Sequence, residues 1–280
     1  MAPAALVMAL LLLDRRYDLW VHLHGVSWVG WWRGPPVNHA ILAAEAVPYV
    51  QRFVGNARVP GASSAIQVYP NALGDPAKGQ VWGTPFWACF RETCQASADD
   101  AAFIDALFAR LAQQLPVDAR RQFLSGHSNG AMLVGTILCA NPGLAGRLRG
   151  AAMVAGALGK AWAGRQCGAP TRLPLLVVAG SDDPHMNYEG ESVNAGVTLL
   201  TGAPLARGIA AKFACKPGAS PPVVFSGPAV SCSDLCSGGG GTGAQPLLLC
   251  SVAGGTHDWN ARPGEMEKAE LLGKFFKSLK

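Results

Sequence analysis

The sequence predicts an α/β protein, a mostly parallel sheet with helices on both faces. Apolar runs of strand length at 18–23, 65–69, 122–124, 150–155, 174–179, 222–225 and 246–252 have helical patterns between many of them. That alternation is how a chain builds parallel strands joined by crossover helices. The chain has 280 residues, 50% hydrophobic and 15% charged. It can fill one large core, so 1–280 reads as a single α/β domain, and disorder is excluded.

The elements follow in order. Met1 to Leu13 is almost wholly apolar. It is too short for a bilayer span of about 20 residues. It lacks a basic start and a clear A-x-A cleavage site before Asp14-Arg15-Arg16. Residues 1–16 are therefore either a signal remnant or a truncated first strand. Leu19-Trp20-Val21-His22-Leu23 alternates like a strand and runs into His24-Gly25-Val26. After Ser97 a helix is expected, because Phe103, Ile104, Leu107, Phe108 and Leu111 recur at helical spacing; Ser97 with Asp100 resembles a capping box. Gln122-Phe123-Leu124 reads as a strand and Ala131 to Cys139 as a helix. Residues 216–245, rich in Gly, Pro and Ser, read as a flexible loop without Walker spacing. The last helix turns Met266, Leu271, Leu272, Phe275, Phe276 and Leu279 inward and keeps Lys268, Lys274, Lys277 and Lys280 in water.

Between the strand at 122–124 and the helix after it stands Gly126-His127-Ser128-Asn129-Gly130. This matches G-x-S-x-G, a sharp strand-to-helix turn that presents a serine at the end of a sheet. With 34 glycines in the chain, the motif needs partners. They occur downstream in the order Ser, Asp, His, which is the α/β-hydrolase order. Leu173 to Ala179 reads as a buried strand ending in Gly180-Ser181-Asp182-Asp183. Pro246 to Val252 reads as another, running into Ala253-Gly254-Gly255-Thr256-His257-Asp258-Trp259. Ser128 is the expected nucleophile, His257 its base, and Asp183 or Asp182 the acid that orients the imidazole. Backbone N–H groups of Val26 and Asn129 are the expected oxyanion donors. His127, inside the elbow, is expected to face substrate, and His22 to be structural. Trp28, Trp82 and Trp259 fall on loops expected to surround Ser128, where they line a pocket if they are not core.

These segments carry a family resemblance. Leu23-His24-Gly25, Val68-Tyr69-Pro70-Asn71-Ala72, Asp99 to Ile104, Gly126 to Met132, Gly180 to Asp183 and Gly255 to Trp259 resemble, in order, secreted esterases of the polyhydroxybutyrate depolymerase, feruloyl and acetylxylan esterase group. The resemblance spans roughly residues 17 to 260. It implies an α/β-hydrolase fold and a serine carboxylic ester hydrolase acting without cofactor. The substrate it implies is a feruloyl or acetyl cell-wall ester or a polyhydroxyalkanoate ester. Its acid pattern, Gly-Thr-x-Asp-x-x-x-x-Tyr, aligns with Asp183 and Tyr188. The chain departs from the family's Gly-x-Gly-His-x-Trp-Pro-Gly end, reading Gly-Gly-Thr-His-Asp-Trp-Asn. Val26 and Ser27-Trp28 stand in place of the Cys and Gln that often follow the early His-Gly. Two alternatives stay open: a serine peptidase or acyltransferase on the same residues, and a catalytically silent binding protein of the same fold.

The net charge of +5 is scattered, with no basic stripe for nucleic acid. Eight cysteines (Cys89, Cys94, Cys139, Cys167, Cys215, Cys232, Cys236 and Cys250) favour disulfides and an oxidising, secreted or extracytoplasmic setting. Cys232, Cys236 and Cys250 are the expected members of a bridge. Cys232 and Cys236 alone suit zinc poorly, because no histidine stands at finger spacing.

Overall fold

The computed structural model describes residues 16–23, 25, 41–42, 65–70, 99–159, 173–194, 197–213, 215, 221–237, 245–257 and 263–279. The apolar segment before Asp14, Ser97 and the glycine run after Ser237 lie outside these residues. Among the described residues twelve strands are formed: β1 (Tyr17–Leu23), β2 (Ile41–Leu42), β3 (Ala65–Tyr69), β4 (Val117–His127), β5 (Gly150–Val154), β6 (Ala157–Gly159), β7 (Leu175–Gly180), β8 (Glu191–Asn194), β9 (Val197–Thr201), β10 (Val223–Ser226), β11 (Val230–Asp234) and β12 (Leu247–Val252). Helices are α1 (Asp100–Gln114), α2 (Asn129–Ala140), α3 (Pro142–Arg147), α4 (Gly202–Lys212) and α5 (Pro263–Ser278).

Nine strands form one sheet in the order β10-β11-β12-β7-β5-β4-β1-β3-β2. Every pairing from β3 to β12 is parallel, and the pairings of β2, β10 and β11 are antiparallel. Parallel strands are covered on both faces, so they read as continuous apolar runs. β5 and β7 are buried at every position. On β1, Leu19, Val21 and Leu23 enter the larger core with α1, α2, α3 and α4, while Trp20 enters the other with α5. Trp20, Phe123 and Phe276 interlock there, with ring centroids 6.1, 5.3 and 4.8 Å apart.

Several sequence expectations need correction. The cap of α1 is Asp99, whose Oδ1 accepts the Ala102 N–H at 2.9 Å. Ile104, Phe108 and Leu111 form the buried stripe of α1, whereas Phe103 is 43% exposed. The strand at 122–124 extends from Val117 to His127; its charged first half, with Arg120 and Arg121, hides the period. The stretch expected to be one loop contains β11. Its Ser-Cys-Ser-Asp composition is weak for a strand, and pairing with β12 imposes the conformation. A small antiparallel sheet, β6-β9-β8, was not among the expected strands.

Two disulfides tie this end of the molecule. Cys232–Cys250 joins directly opposite residues of β11 and β12, and Cys215–Cys236 joins the segment after α4 to the end of β11. Cys139 is also disulfide-bonded.

Candidate active site

The chain direction reverses between β1 and β4. From β1 it steps outward to β3, and from β4 it steps the other way through β5, β7 and β12. In open parallel sheets, ligands bind outside the carboxyl ends of strands at such a point. Gly25 follows β1, Ser128 follows β4, Asp183 follows β7 and His257 follows β12. All four lie beyond the same sheet edge.

The elbow is built by sterics. A Cβ on Gly126 would collide with the backbone of Gly130 and Ala131, so only glycine lets strand and helix close this tightly. Ser128 has φ 53° and ψ −118°, a strained conformation of the kind held at functional sites. Serine is a favoured helix cap, yet the Ser128 side chain makes no capping bond to α2. Its Oγ lies instead 2.8 Å from His257 Nε2.

His257 Nδ1 lies 2.9 Å from Asp183 Oδ2. The other oxygen, Oδ1, accepts backbone N–H bonds from His185 and Met186, each 2.8 Å. The Asp183 side chain is only 1% exposed. Burial pushes its carboxyl up, but the His257 hydrogen bond and charge and the two N–H groups outweigh it, leaving the pKa below the ordinary value. An ionised carboxylate only accepts, so Nδ1 carries the imidazole proton and Nε2 offers its lone pair to the Ser128 hydroxyl. A serine in this arrangement can pass its proton to a neighbouring imidazole when it meets an electrophile.

Asp182 is exposed and accepts from Ser181 Oγ at 2.7 Å. Asn129 is buried as the first residue of α2, where helix N–H groups have no partner within the helix. His22 is buried in β1, with Nδ1 2.5 Å from Ser125 Oγ. Val26, Trp28, Trp82 and Trp259 lie outside the described residues, as does His24.

Some contacts had no reading in the sequence. His185 packs its ring edge-on to His257 at 5.0 Å. Ser181 Oγ accepts the Gly254 N–H at 2.8 Å, joining the acid loop to the histidine loop. His127 Nε2 donates to the His257 carbonyl oxygen at 2.8 Å. The turn after Asp183 was foreshadowed by Asp183-Pro184, a turn-opening pair whose aspartate caps the N–H groups that follow. Among the described residues, no group of three or more His, Cys, Asp or Glu is placed to hold a metal ion.

The chain has the α/β-hydrolase fold. It superposes on an acetyl xylan esterase from Aspergillus awamori with TM-score 0.53 and 10% identity, over 94% of this chain and 91% of that one. It is also similar to esterase PE8 (TM-score 0.48, 14% identity, 96% and 95% covered). A carboxylesterase from Mesorhizobium loti gives TM-score 0.45 and 15% identity, with 91% and 88% covered. No family model matches the sequence, and no curated protein matches it.

Proposed function

We propose that the protein is a serine carboxylic ester hydrolase acting through an acyl-enzyme. The observation that carries this is the continuous hydrogen-bonded line Asp183–His257–Ser128, with separations of 2.9 and 2.8 Å. Ser128 Oγ attacks the ester carbonyl carbon as His257 Nε2 takes its proton. The Asn129 N–H, with that of Val26, holds the oxyanion. His257 then protonates the leaving alcohol, and a water activated by the same nitrogen releases the acid and restores Ser128. Asp183 holds the tautomer and offsets the imidazolium charge. These groups complete the cycle without a cofactor.

The substrate we propose is a feruloyl or acetyl cell-wall ester or a polyhydroxyalkanoate ester, with Trp28, Trp82 and Trp259 lining the acyl pocket. The acetyl xylan esterase named above acts, by its name, on an ester of this kind. The whole chain serves as one catalytic domain. The disulfides favour work outside the reducing cytosol, and no helix among the described residues is long and apolar enough to cross a membrane.

Hydrolysis of a panel of feruloyl, acetyl and hydroxybutyrate esters, run with fluorophosphonate labelling, tests the reading. Ser128→Ala and His257→Ala should each lose on the order of 10³-fold or more in kcat, and the double variant little more. Wild-type protein that neither turns over any ester nor accepts the label would leave only a silent binding fold.

A further inference from the structure

The acid loop holds the approach to the histidine loop. Before His257, the Gly255 N–H bonds Val252 O, the Asp182 N–H bonds Gly255 O, and the Gly254 N–H bonds Ser181 Oγ. These contacts fix the approach as far as Gly255, two residues before the imidazole. Gly254 has φ +67°, so this approach is made of residues with wide backbone freedom. His257's own backbone is also bonded across to the elbow, from His127 Nε2 to its carbonyl oxygen at 2.8 Å.

His127 is well placed to act as a strut. It is the last residue of β4, paired with Val154 at the centre of the parallel sheet. Its backbone is therefore fixed by the most buried part of the fold. The ring is half-buried, 5.2 Å from the His257 ring. Its other nitrogen faces Gly25: a Cβ there would come within 2.9 Å of His127 Nδ1. One imidazole thus spans from the loop after β1, past the elbow, to the loop after β12. A carbonyl acceptor requires Nε2 to carry a proton, which the neutral ring supplies.

We propose that His127 is a positioning residue that fixes the His257 backbone so that Nε2 stays in line with Ser128 Oγ. The proposal deepens the hydrolase reading and rests on it for its catalytic consequence. It replaces the substrate-facing role that the elbow position suggests. The elbow histidine sets the geometry of the base without touching the acyl group. Misplacement of a reacting group by about 1 Å costs on the order of 10²-fold, so the strut should act on kcat and leave KM nearly untouched.

Three substitutions separate the alternatives. A glutamine amide nitrogen reaches about as far as histidine Nε2, whereas an asparagine amide reaches only as far as Nδ1. His127→Gln should keep most of the wild-type kcat. His127→Asn and His127→Phe should lose roughly 10- to 100-fold, with KM within about twofold for acetyl and feruloyl esters alike. Rates are taken per fluorophosphonate-titrated site, so a variant that folds poorly does not count as slow. A second readout needs no turnover: the downfield proton NMR signal of His257 Nδ1–H on Asp183. It should persist in wild type and His127→Gln and broaden in His127→Asn and His127→Phe.

A rise in KM with kcat intact would make His127 a substrate contact and overturn the proposal. So would a Gln variant no better than Asn, or an unchanged Nδ1–H signal in His127→Phe. If wild type shows that signal but neither hydrolyses esters nor labels, the hydrolase reading falls, and the signal in the variants still decides the strut.

Discussion

Gly180 and Gly255 approach so closely that a Cβ on Gly180 would collide with the carbonyl oxygen of Gly255. Gly180 ends β7, three residues before Asp183, and Gly255 precedes His257 by two. The strands that deliver Asp183 and His257 are in backbone contact just ahead of both side chains, so the bond between them is set by packing rather than by reach.

Gly180→Ala should therefore lower stability by about 1–3 kcal/mol, the usual cost of overpacking. It should also cut kcat, by pushing the two loops apart. Gly146→Ala in α3, where an added Cβ meets nothing within 4 Å, is the matched control and should be neutral or slightly stabilising. Chemical denaturation and ester turnover on both variants check this. A Gly180→Ala protein with wild-type kcat would mean that the loops move independently.

The choice between adjacent carboxylates is equally sharp. Asp183 faces His257 from a buried position, whereas Asp182 is exposed and bonded to Ser181. Asp183→Asn should lower kcat near neutral pH by about 10⁴-fold, because an amide there favours the wrong imidazole tautomer. Asp182→Asn should cost less than about tenfold. Steady-state kinetics at pH 7 read both, and the opposite ranking would move the acid by one residue.

Cys232–Cys250 pins β11 to β12, and β12 leads directly to His257. The bridged residues are 18 apart in sequence, and the Cys215–Cys236 pair 21 apart. Loops of this length restrict the unfolded chain by about 3 kcal/mol each. Replacing Cys232 and Cys250 together by Ala should lower Tm by several degrees and reduce activity before global unfolding. Calorimetry beside an activity melt checks this. Coincident, unshifted transitions would show the bridge to be dispensable.

The residues that the fold brings together at Ser128 were more legible than the frame around them. G-x-S-x-G, the carboxylate after β7 and the histidine after β12 each sit where an apolar run stops, and the period of such runs is a local property. The position of Asp183 over Asp182 came from a family pattern, and packing gives it a reason: only Asp183 points back under the turn that follows it. β11 was not legible, because its Ser and Cys become strand through pairing with β12, and the strands of the β6-β9-β8 sheet are too short to show a period. The bond from His127 to the His257 carbonyl oxygen was not legible, because its sequence neighbours say nothing about residue 257. Buried contacts between loops far apart in sequence leave no periodic trace.

His22 supplies a pH dependence separate from the active site. It is buried on β1, stacks on Tyr69 at 4.9 Å and hydrogen-bonds Ser125 Oγ through Nδ1. Among the described residues its Nε2 meets no hydrogen-bond partner. Burial lowers its pKa from 6.5 to about 3, and the nearby Gln67 side chain opposes the shift without reversing it. A proton therefore binds the unfolded chain more readily than the native one. The resulting stability is fully present above pH 6.5 and declines as pH falls toward 3, at up to about 1.4 kcal/mol per unit. Between pH 7 and 4.5 the loss due to this one side chain should reach about 2–3 kcal/mol. His22→Asn can still meet Ser125 but cannot titrate. It should start less stable than wild type at pH 7 and close the gap by that amount at pH 4.5, while carboxylates shared by both proteins cancel in the difference. Urea unfolding of the two proteins across this range makes the measurement. A constant gap would show that His22 takes up no proton on unfolding, and acid lability would then lie with other groups.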